Sequence, residues 1–467
     1  MNIKLFRHLP KSITRSIIMS KFSPPINRNM VELDRSFFHK EVPLLAAYFP
    51  NPKFLGQFVK SCQNDILYVQ TVKHIISMDD SKAILLRDDV KLISDLNPET
   101  QLKINEFGII LKPYTLKLDY SFWKSEEILK SILPENLIDD VPSGFSQAGH
   151  LAHINLRDEY KPFGKLIGQV ILDKNPLVLT VVDKVNTIAN KFRTFPLELL
   201  AGEPNYIVEQ LESGCKFKFD FSKVYWNSRL STEHERIIGK FNPGDVVGDV
   251  FGGVGPFAIP ASKKNVIVLA NDLNPESYKY LQENIKINKV EPFIKPFNLD
   301  GREFIRKAPE LLLQWHNSQN GIIEKIIIKK VSIDDNKTKK IFERKPIIET
   351  TKIPKFYHHF VMNLPDSALT FLDEFIGLYG SNPQLKTDPE FKLPIIHVHC
   401  FEKFENNENP TPEELHNRVY EKICKLIQFP LNKKKVEFHE VRMVSPTKPM
   451  FCVSFELPEE VAFKQTK

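Results

Sequence analysis

Four clusters in the C-terminal half of this sequence carry side chains suited to a hydroxylated, charged ligand. Asp249 stands ahead of a glycine-rich turn made of Gly252, Gly253 and Gly255, closed by Pro256 and Phe257. Asp272 follows Gly253 after 19 residues. Asp300 and Gly301 come next, and Asn363, Leu364 and Pro365 close the series. Glycines let backbone approach a ligand with no Cβ in the way. A carboxylate at the tip of a second strand can accept both hydroxyls of a ribose. An asparagine amide beside a rigid proline donates and accepts at once, which suits a planar nitrogen group next to a carbonyl.

These clusters need a scaffold, and the intervening residues supply one. Apolar runs at Val246–Val247, Val266–Ala270, Phe293–Phe297 and His358–Met362 each lead into one cluster. Strand, glycine turn, helix and acid-tipped strand make half of a nucleotide-binding sheet, whose ligand lies beyond the carboxyl ends of the strands. The expected fold class is therefore α/β, a doubly wound Rossmann-like sheet. Pro275–Lys286 is expected to be a helix with Asn274 as its cap and Pro275 in its first turn. Thr411 and Glu414 form a capping box for a helix reaching Ile427. Lys435–Val444 and Met450–Leu457 read as a closing antiparallel hairpin.

The choice of ribose ligand is open between a dinucleotide and S-adenosylmethionine. Gly253, Gly255 and Ala258 also satisfy the dinucleotide fingerprint. Two residues favour S-adenosylmethionine. Asp249 can face a cationic methionine end, and Pro256 removes an N–H where a pyrophosphate would want one. A third reading, ordinary β–α turns with no ligand, also fits the spacing. With S-adenosylmethionine as donor, the absence of a cysteine near Asn363 argues against thiol-assisted carbon methylation and for a nitrogen acceptor.

At 467 residues the chain should divide into two or three domains. No apolar run approaches the length of a transmembrane helix, so no membrane span is expected. The five cysteines are scattered with no C-x-x-C pair, which points to a reducing compartment and no structural zinc. His397, His399 and Cys400 are metal-ligand types, but they alternate within Ile395–Phe401 and read as a strand.

The net charge of +6 has an uneven origin. Lys4, Arg7, Lys11, Arg15, Lys21 and Arg28 precede the first acid, Glu32, and the remainder balances at 58 basic against 58 acidic residues. Lys4, Arg7, Lys11 and Arg15 would share one helix face, with Leu5, Phe6, Leu9, Ile13 and Ile17 on the other. A basic, acid-free, hydroxyl-rich amphipathic start over 1–28 has the character of a mitochondrial transit peptide. Later methionines, Met19 and Met30, would delete most of it. The expectation is a protein shared between the mitochondrial matrix and the cytoplasm and nucleus.

Beyond the leader, residues 33–140 read as an N-terminal α+β domain, with helices at Asp65–Ile76 and Ser125–Leu133. Residues 143–225 read as a middle block with strands at Val170–Leu172, Leu177–Val182 and Lys216–Phe221. Residues 226–463 form the doubly wound domain. Within it, 321–357 holds ten basic and five acidic residues and reads as an inserted surface segment, disordered or facing RNA.

Taken together, the residues from about 143 to 463 resemble the archaeal and eukaryotic tRNA (guanine-N1)-methyltransferases. The resemblance rests on Lys191–Phe195 with Leu200–Glu203, Val224–His234, Asp249–Phe257, Asn271–Pro275, Asn284–Asn288 and Asn363–Pro365. It implies a class I methyltransferase domain, S-adenosyl-L-methionine as cofactor, tRNA as partner, and transfer of a methyl group to N1 of guanosine-37. Its N-terminal domain would check the outer corner of the tRNA, and the chain is expected to act as a monomer. A related guanine methyltransferase, acting on N2 or on rRNA, is the nearest alternative. The resemblance also implies roles. Glu233 would be the general base, with its pKa raised by burial, and Arg193 would stabilise O6. Asn363 and Pro365 would orient the guanine edge, Tyr225 would pack on the base, and Arg229 would hold a phosphate or the active-site loop. His234, Asp249, Gly253, Gly255, Asp272, Leu273, Asp300, Gly301 and Asn363 would line the cofactor site.

Overall fold

The structure is a computed structural model. It describes residues 21–184, 196–327, 330–335, 338–343 and 347–465, with backbone alone over 327–346. Arg193 and residues 1–20 of the basic leader lie outside the described residues; within 21–28, Arg28 Nη1 donates to the Leu133 carbonyl at 2.7 Å. The chain divides into two compact units where three blocks were expected. Residues 1–145, 156–183 and 199–202 form one unit, and 146–155, 184–198 and 203–467 the other. The expected middle block is shared between them, because its sequence alternates in membership.

The first unit is built on four antiparallel strands, β1 (Lys40–Phe49), β2 (Ile75–Met78), β3 (Ser81–Leu85) and β4 (Ile110–Leu118), in the order β2-β3-β1-β4. Helices α1 (Leu55–Ser61), α2 (Pro98–Glu106), α3 (Ser125–Ile132) and α4 (Gly164–Lys174) belong to the same unit. Two expectations fail here. Asp65–Ile76 is not a helix, because Asp65 is buried and committed to tertiary partners. It accepts from Arg87 Nε at 3.1 Å and from the Asn97 amide at 3.0 Å. Val170–Leu172 is not a strand but part of α4, where Leu166, Ile167, Val170 and Ile171 recur at helical spacing and are all buried.

Strands β5 (Ser146–Ala148) and β6 (Leu151–Ile154) form a small antiparallel ladder. Strands β7 (Thr180–Lys184) and β8 (Leu197–Gly202) follow, and then β9 (Ile207–Glu212) pairs antiparallel with β10 (Cys215–Asp220). Helix α5 (Ser231–Ile238) leads into the main sheet of the second unit.

That sheet has seven strands. β11 (Val246–Asp249), β12 (Ile267–Asn271), β13 (Ile294–Phe297), β18 (His359–Met362) and β19 (Ile395–Phe401) run parallel; β20 (Glu437–Ser445) and β21 (Lys448–Glu456) close it as an antiparallel hairpin. The order is β13-β12-β11-β18-β19-β21-β20. Every residue of β11, β12 and β18 is buried, as expected for parallel strands covered on both faces. Helices α6 (Ala258–Lys263), α7 (Pro275–Asn288), α8 (Gly301–Ser318), α9 (Pro412–Leu426) and α10 (Glu459–Ala462) complete the unit. The expected caps are present. Asn274 accepts from the Glu276 amide at 3.0 Å, and Thr411 and Glu414 exchange hydrogen bonds at 3.3 and 2.7 Å. This is the expected doubly wound architecture.

Within the 321–357 insertion, expected to be disordered or to face RNA, the described residues form strands. β14 (Ile322–Ile327) pairs antiparallel with β17 (Ile347–Lys352), and β15 (Lys330–Asp335) with β16 (Thr338–Glu343). Isoleucine and threonine dominate β14 and β17, and such β-branched residues favour extended backbone. The arm leaves after the C-terminal end of α8 and returns ahead of β18, so it springs from the amino-terminal edge of the sheet. Lys325 Nζ donates to Asn265 Oδ1 there at 2.9 Å.

Candidate functional site

At the opposite, carboxyl edge, β11 ends in Asp249 and the chain turns through the glycines into α6. The Gly252 amide donates to the Asn271 carbonyl at 2.6 Å, docking the turn on β12. Gly255 has φ +98°, and a Cβ there would stand 2.7 Å from Ile259 Cδ1 and 2.8 Å from Leu281 Cδ1, so only glycine fits. Gly253 has φ +55°, and a Cβ on it would meet nothing within 4 Å. Its amide donates to Asp272 Oδ2 at 2.9 Å, while Asp272 Oδ1 accepts from the Asn274 amide at 2.8 Å. The acid after β12 therefore clamps the glycine turn and keeps spare lone pairs on both oxygens. Burial raises its pKa, against the pull of those amides.

Asn271 ties three loops together. Its amide nitrogen donates to the Val250 and Leu299 carbonyls at 3.1 and 3.0 Å, and its oxygen accepts from the Leu299 amide at 2.8 Å. Asp300 caps α8 by accepting from the Arg302 amide at 2.9 Å, and Gly301 packs close to Phe251. Leu273 is half-buried beside Asn298, whose amide nitrogen donates to the Asp272 and Leu273 carbonyls.

Asp249 is fully buried, and neither carboxylate oxygen has a hydrogen-bond partner among the described residues. Burial pushes its pKa up to about 8, Asp272 adds to the rise, and His399 opposes it. A buried carboxylate without partners is costly and calls for a cation or donors from a ligand. The donor set fits S-adenosylmethionine, whose methionine end is cationic and whose ribose needs acceptors. A pyrophosphate fits poorly. It would bring two more negative charges to an unpaired acid, and α6 has only six residues to offer as a helix dipole.

The acceptor corner lies at the end of β18. The Pro365 carbonyl accepts from the Phe401 amide at 3.0 Å, pinning the turn to the end of β19. Asn363 Oδ1 is buried and has no partner among the described residues, a second orphan at the same edge. Tyr225 is 50% exposed, with its hydroxyl 3.4 Å from Asn227 Nδ2. Arg229 is exposed and stands close enough to His153 and Lys184 to depress both. Burial and then Lys184 and Arg229 lower His153 to about 3, and burial and Arg229 lower Lys184 to about 8.

Glu233 corrects the expectation of a raised pKa. It is buried on α5, but both oxygens are taken. Arg236 Nε and Nη2 donate to them at 2.6 and 2.8 Å, His399 Nε2 lies 2.7 Å from Oε1, and His439 Nε2 lies 3.6 Å from Oε2. Burial alone would raise its pKa, but the Arg236 and His399 hydrogen bonds and charges outweigh it and hold the carboxyl at about 2. Conversely, burial would lower His399, yet Cys452 and Glu233 raise it to about 10. Glu233, His399 and Cys452 offer ligand atoms within 4.8 Å of one another, a geometry that a metal could use. The guanidinium of Arg236 already spans both Glu233 oxygens, so the trio reads as an ion-paired network. His234 is buried, with Nδ1 held 2.5 Å from Glu212 Oε1, and it reaches the glycine turn through its ring edge on Phe257.

The structure thus gathers Asp249, Gly253, Gly255 and Asp272 directly. Asn271, Arg236 and His399 also stand among these residues, in positions to which the sequence reading gave no site role. The i,i+3 spacing of Glu233 and Arg236 and the alternating His397 and His399 were their available signals.

Comparison with known proteins agrees with this arrangement. The TRM5/TYW2 methyltransferase domain matches residues 208–334, and the TYW2 N-terminal domain matches 125–205. A tRNA (guanine(37)-N(1))-methyltransferase of Candida albicans is 99% identical over 449 residues, covering 96% of this chain and all of that protein. One from Saccharomyces cerevisiae is 47% identical over 479 aligned residues, covering 94% and 95%. Among solved structures, the complex of aTrm5 and tRNALeu shares the fold at TM-score 0.55 and 21% identity, covering 89% of this chain and 99% of that one. No helix among the described residues is long and apolar enough to cross a membrane. On sequence identity over nearly its whole length, this chain belongs to the tRNA (guanine(37)-N1)-methyltransferases.

Proposed function

We infer that this chain methylates N1 of guanosine-37 in tRNA with S-adenosylmethionine as donor, on a class I methyltransferase domain. The observation that carries the reading is Asp249, a buried carboxylate with two orphan oxygens beside an open glycine turn and a ribose-ready Asp272. The cofactor supplies an electrophilic methyl group on a sulfonium. Asp249 faces its cationic end, Asp272 accepts from the ribose hydroxyls, and Leu273, Asp300, Gly301 and His234 border the rest of the site.

On the acceptor side, Asn363 meets the guanine edge with its unpaired oxygen, and Pro365 keeps that corner rigid. Tyr225, half exposed, packs on the base, and Arg229 with Lys184 and His153 faces the phosphates. Guanine N1 carries a proton that has to leave as the N–C bond forms. Glu233 accepts it, and Arg193 offsets the charge that builds on O6. A carboxylate held at about 2 is a weak base. The bonds from Arg236 therefore slacken when the guanosine enters.

The first unit checks the body of the tRNA, and the chain acts as a monomer. Its basic start directs part of the population to the mitochondrial matrix and leaves the rest to the cytoplasm and nucleus. A fusion of residues 1–28 to a fluorescent protein should reach mitochondria, and a diffuse signal would remove that part of the reading. For the chemistry, radiolabelled donor is offered to unmodified tRNA bearing guanosine or adenosine at position 37. Label should appear at N1 of guanosine-37 and vanish with adenosine. Label on N2, or retained with adenosine, would overturn the assignment.

A further inference from the structure

Strand β19 sets His397 and His399 on one face, because residues two apart in a strand share a side. β21 places Ser454 opposite His397 and Cys452 opposite His399. His397 is spent within the fold: Nδ1 lies 2.8 Å from Ser454 Oγ and Nε2 lies 3.1 Å from His359 Nδ1. His399 is fully buried and reaches across to α5, with Nε2 2.7 Å from Glu233 Oε1. Its other nitrogen, Nδ1, has no hydrogen-bond partner among the described residues.

The groups facing His399 and Glu233 come from α5 itself and from four further elements. Arg236 stands on α5 and bonds both Glu233 oxygens, with its Nη1 3.7 Å from Glu437 on β20. His439, also on β20, has Nε2 3.6 Å from Glu233 Oε2. Cys452 faces from β21, and Asp249 from the end of β11 is close enough for His399 to affect its ionisation. Phe257, from the glycine turn, lies 6.1 Å from the imidazole, ring centre to ring centre. His399 therefore touches the acid read as the proton acceptor and is within electrostatic reach of the acid at the donor site.

We propose that His399 is a positioning residue for methyl transfer, which fixes Oε1 of Glu233 and keeps that carboxylate ionised until it receives the N1 proton. The proposal rests on reading Glu233 as that acceptor. An imidazolium against Glu233 favours the carboxylate over the acid. Its removal leaves Arg236 as the main counterweight to burial and raises the pH at which Glu233 takes up a proton. A cation at this range is worth about 1–3 pKa units on a carboxylate.

The test is single-turnover methylation of guanosine-37 tRNA from pH 3.5 to 9, with the unmodified enzyme, His399→Gln and Glu233→Gln. Glutamine keeps a donor for Glu233 and loses the charge. For His399→Gln the acid limb should rise by about 1–3 pH units from a Glu233 value of about 2, into the range of about pH 3–5, with the rate recovering towards that of the unmodified enzyme above it. S-adenosylhomocysteine affinity should stay within about threefold. A loss equal at every pH, or no change at all, overturns the proposal. If Glu233→Gln transfers methyl at the full rate, the acceptor reading itself fails, a separate result. Should His399→Gln not fold, the unmodified chain labelled with carbon-13 at its histidine Cε1 positions gives an independent answer. One histidine should remain protonated to at least pH 9, and titration of every histidine below that pH would overturn the proposal.

Discussion

Asp245 and Asp249 bracket the same buried strand, four positions apart, and the sheet treats them in opposite ways. Asp245, at the amino end, accepts from the Asn242 amide at 2.7 Å and has His359 Nε2 at 3.5 Å and His358 Nε2 at 3.7 Å. Burial would raise its pKa, but the His359 and Asn242 bonds and the two imidazoles bring it below the ordinary value. Asp249, at the carboxyl end, has no such company and rises to about 8. One edge satisfies its polar groups from within, through Asp245, His359, His397 and Ser454. The other leaves Asp249 and Asn363 Oδ1 unsatisfied. Orphaned polar atoms, more than polar residues as such, separate the edge built for a ligand from the edge built for stability.

The comparison breaks if substitutions at the two edges have interchangeable effects. The largest effect is expected from Asn363→Ala, since removing one oriented polar group from a catalytic site costs roughly 100- to 1000-fold in turnover. Single-turnover rates at saturating tRNA should show that loss with donor affinity little changed. A loss confined to donor binding would move Asn363 out of the acceptor corner.

Next is Asp249→Asn. A charge-assisted bond is worth about 1.5–3 kcal/mol, so donor affinity by calorimetry should fall roughly 10- to 150-fold. The same change should stabilise the free protein. Asp249 has a folded pKa raised above its unfolded value of 3.8. Its contribution is therefore fully present below that value and is lost as pH rises through about 8. Thermal melts should show the variant gaining on the unmodified chain between pH 5 and 9. No gain at pH 9 would mean that Asp249 has a partner in solution.

Asp245→Asn should do the reverse. The folded pKa of Asp245 is lowered, so its stabilisation is present above the unfolded value and is lost as pH falls through the folded one. At pH 7 the variant should lose about 1–3 kcal/mol of stability, the cost of leaving buried donors unpaired. Donor affinity and turnover of the folded fraction should hold, and a selective loss of donor binding would dissolve the contrast between the edges.

Much of the carboxyl edge is legible in the sequence because its signals are local. Val246 and Val247 end in an acid and glycines, Asn274 and Pro275 open a helix, and Thr411 with Glu414 opens another. What escaped depends on distance along the chain. Glu233 and His399 are 166 residues apart, so burial could be anticipated and the partner that reverses its effect could not. The short apolar run Val170–Leu172 fits a strand or a buried helix turn equally well, and only packing decides. Asp65, in a segment that reads as helix, is captured by Arg87 and Asn97 from 22 and 32 residues away.

The basic arm is the smallest expected effect and the sharpest check on the geometry. Its ten basic and five acidic residues suggest a polyanion, yet it springs from the edge opposite the glycine turn. Ile327 lies directly across from Ile347, so residues 328–346 can be replaced by a two-residue turn without disturbing β14 or β17. That excision removes seven basic and three acidic residues. If charge count governed tRNA binding, KM should rise and its dependence on salt should flatten, by close to one unit of slope for each phosphate no longer neutralised. Because position governs instead, KM for tRNA should change by less than about threefold and the salt slope should stay unchanged. A tenfold rise with a flatter slope would place RNA on the amino edge and redraw the comparison.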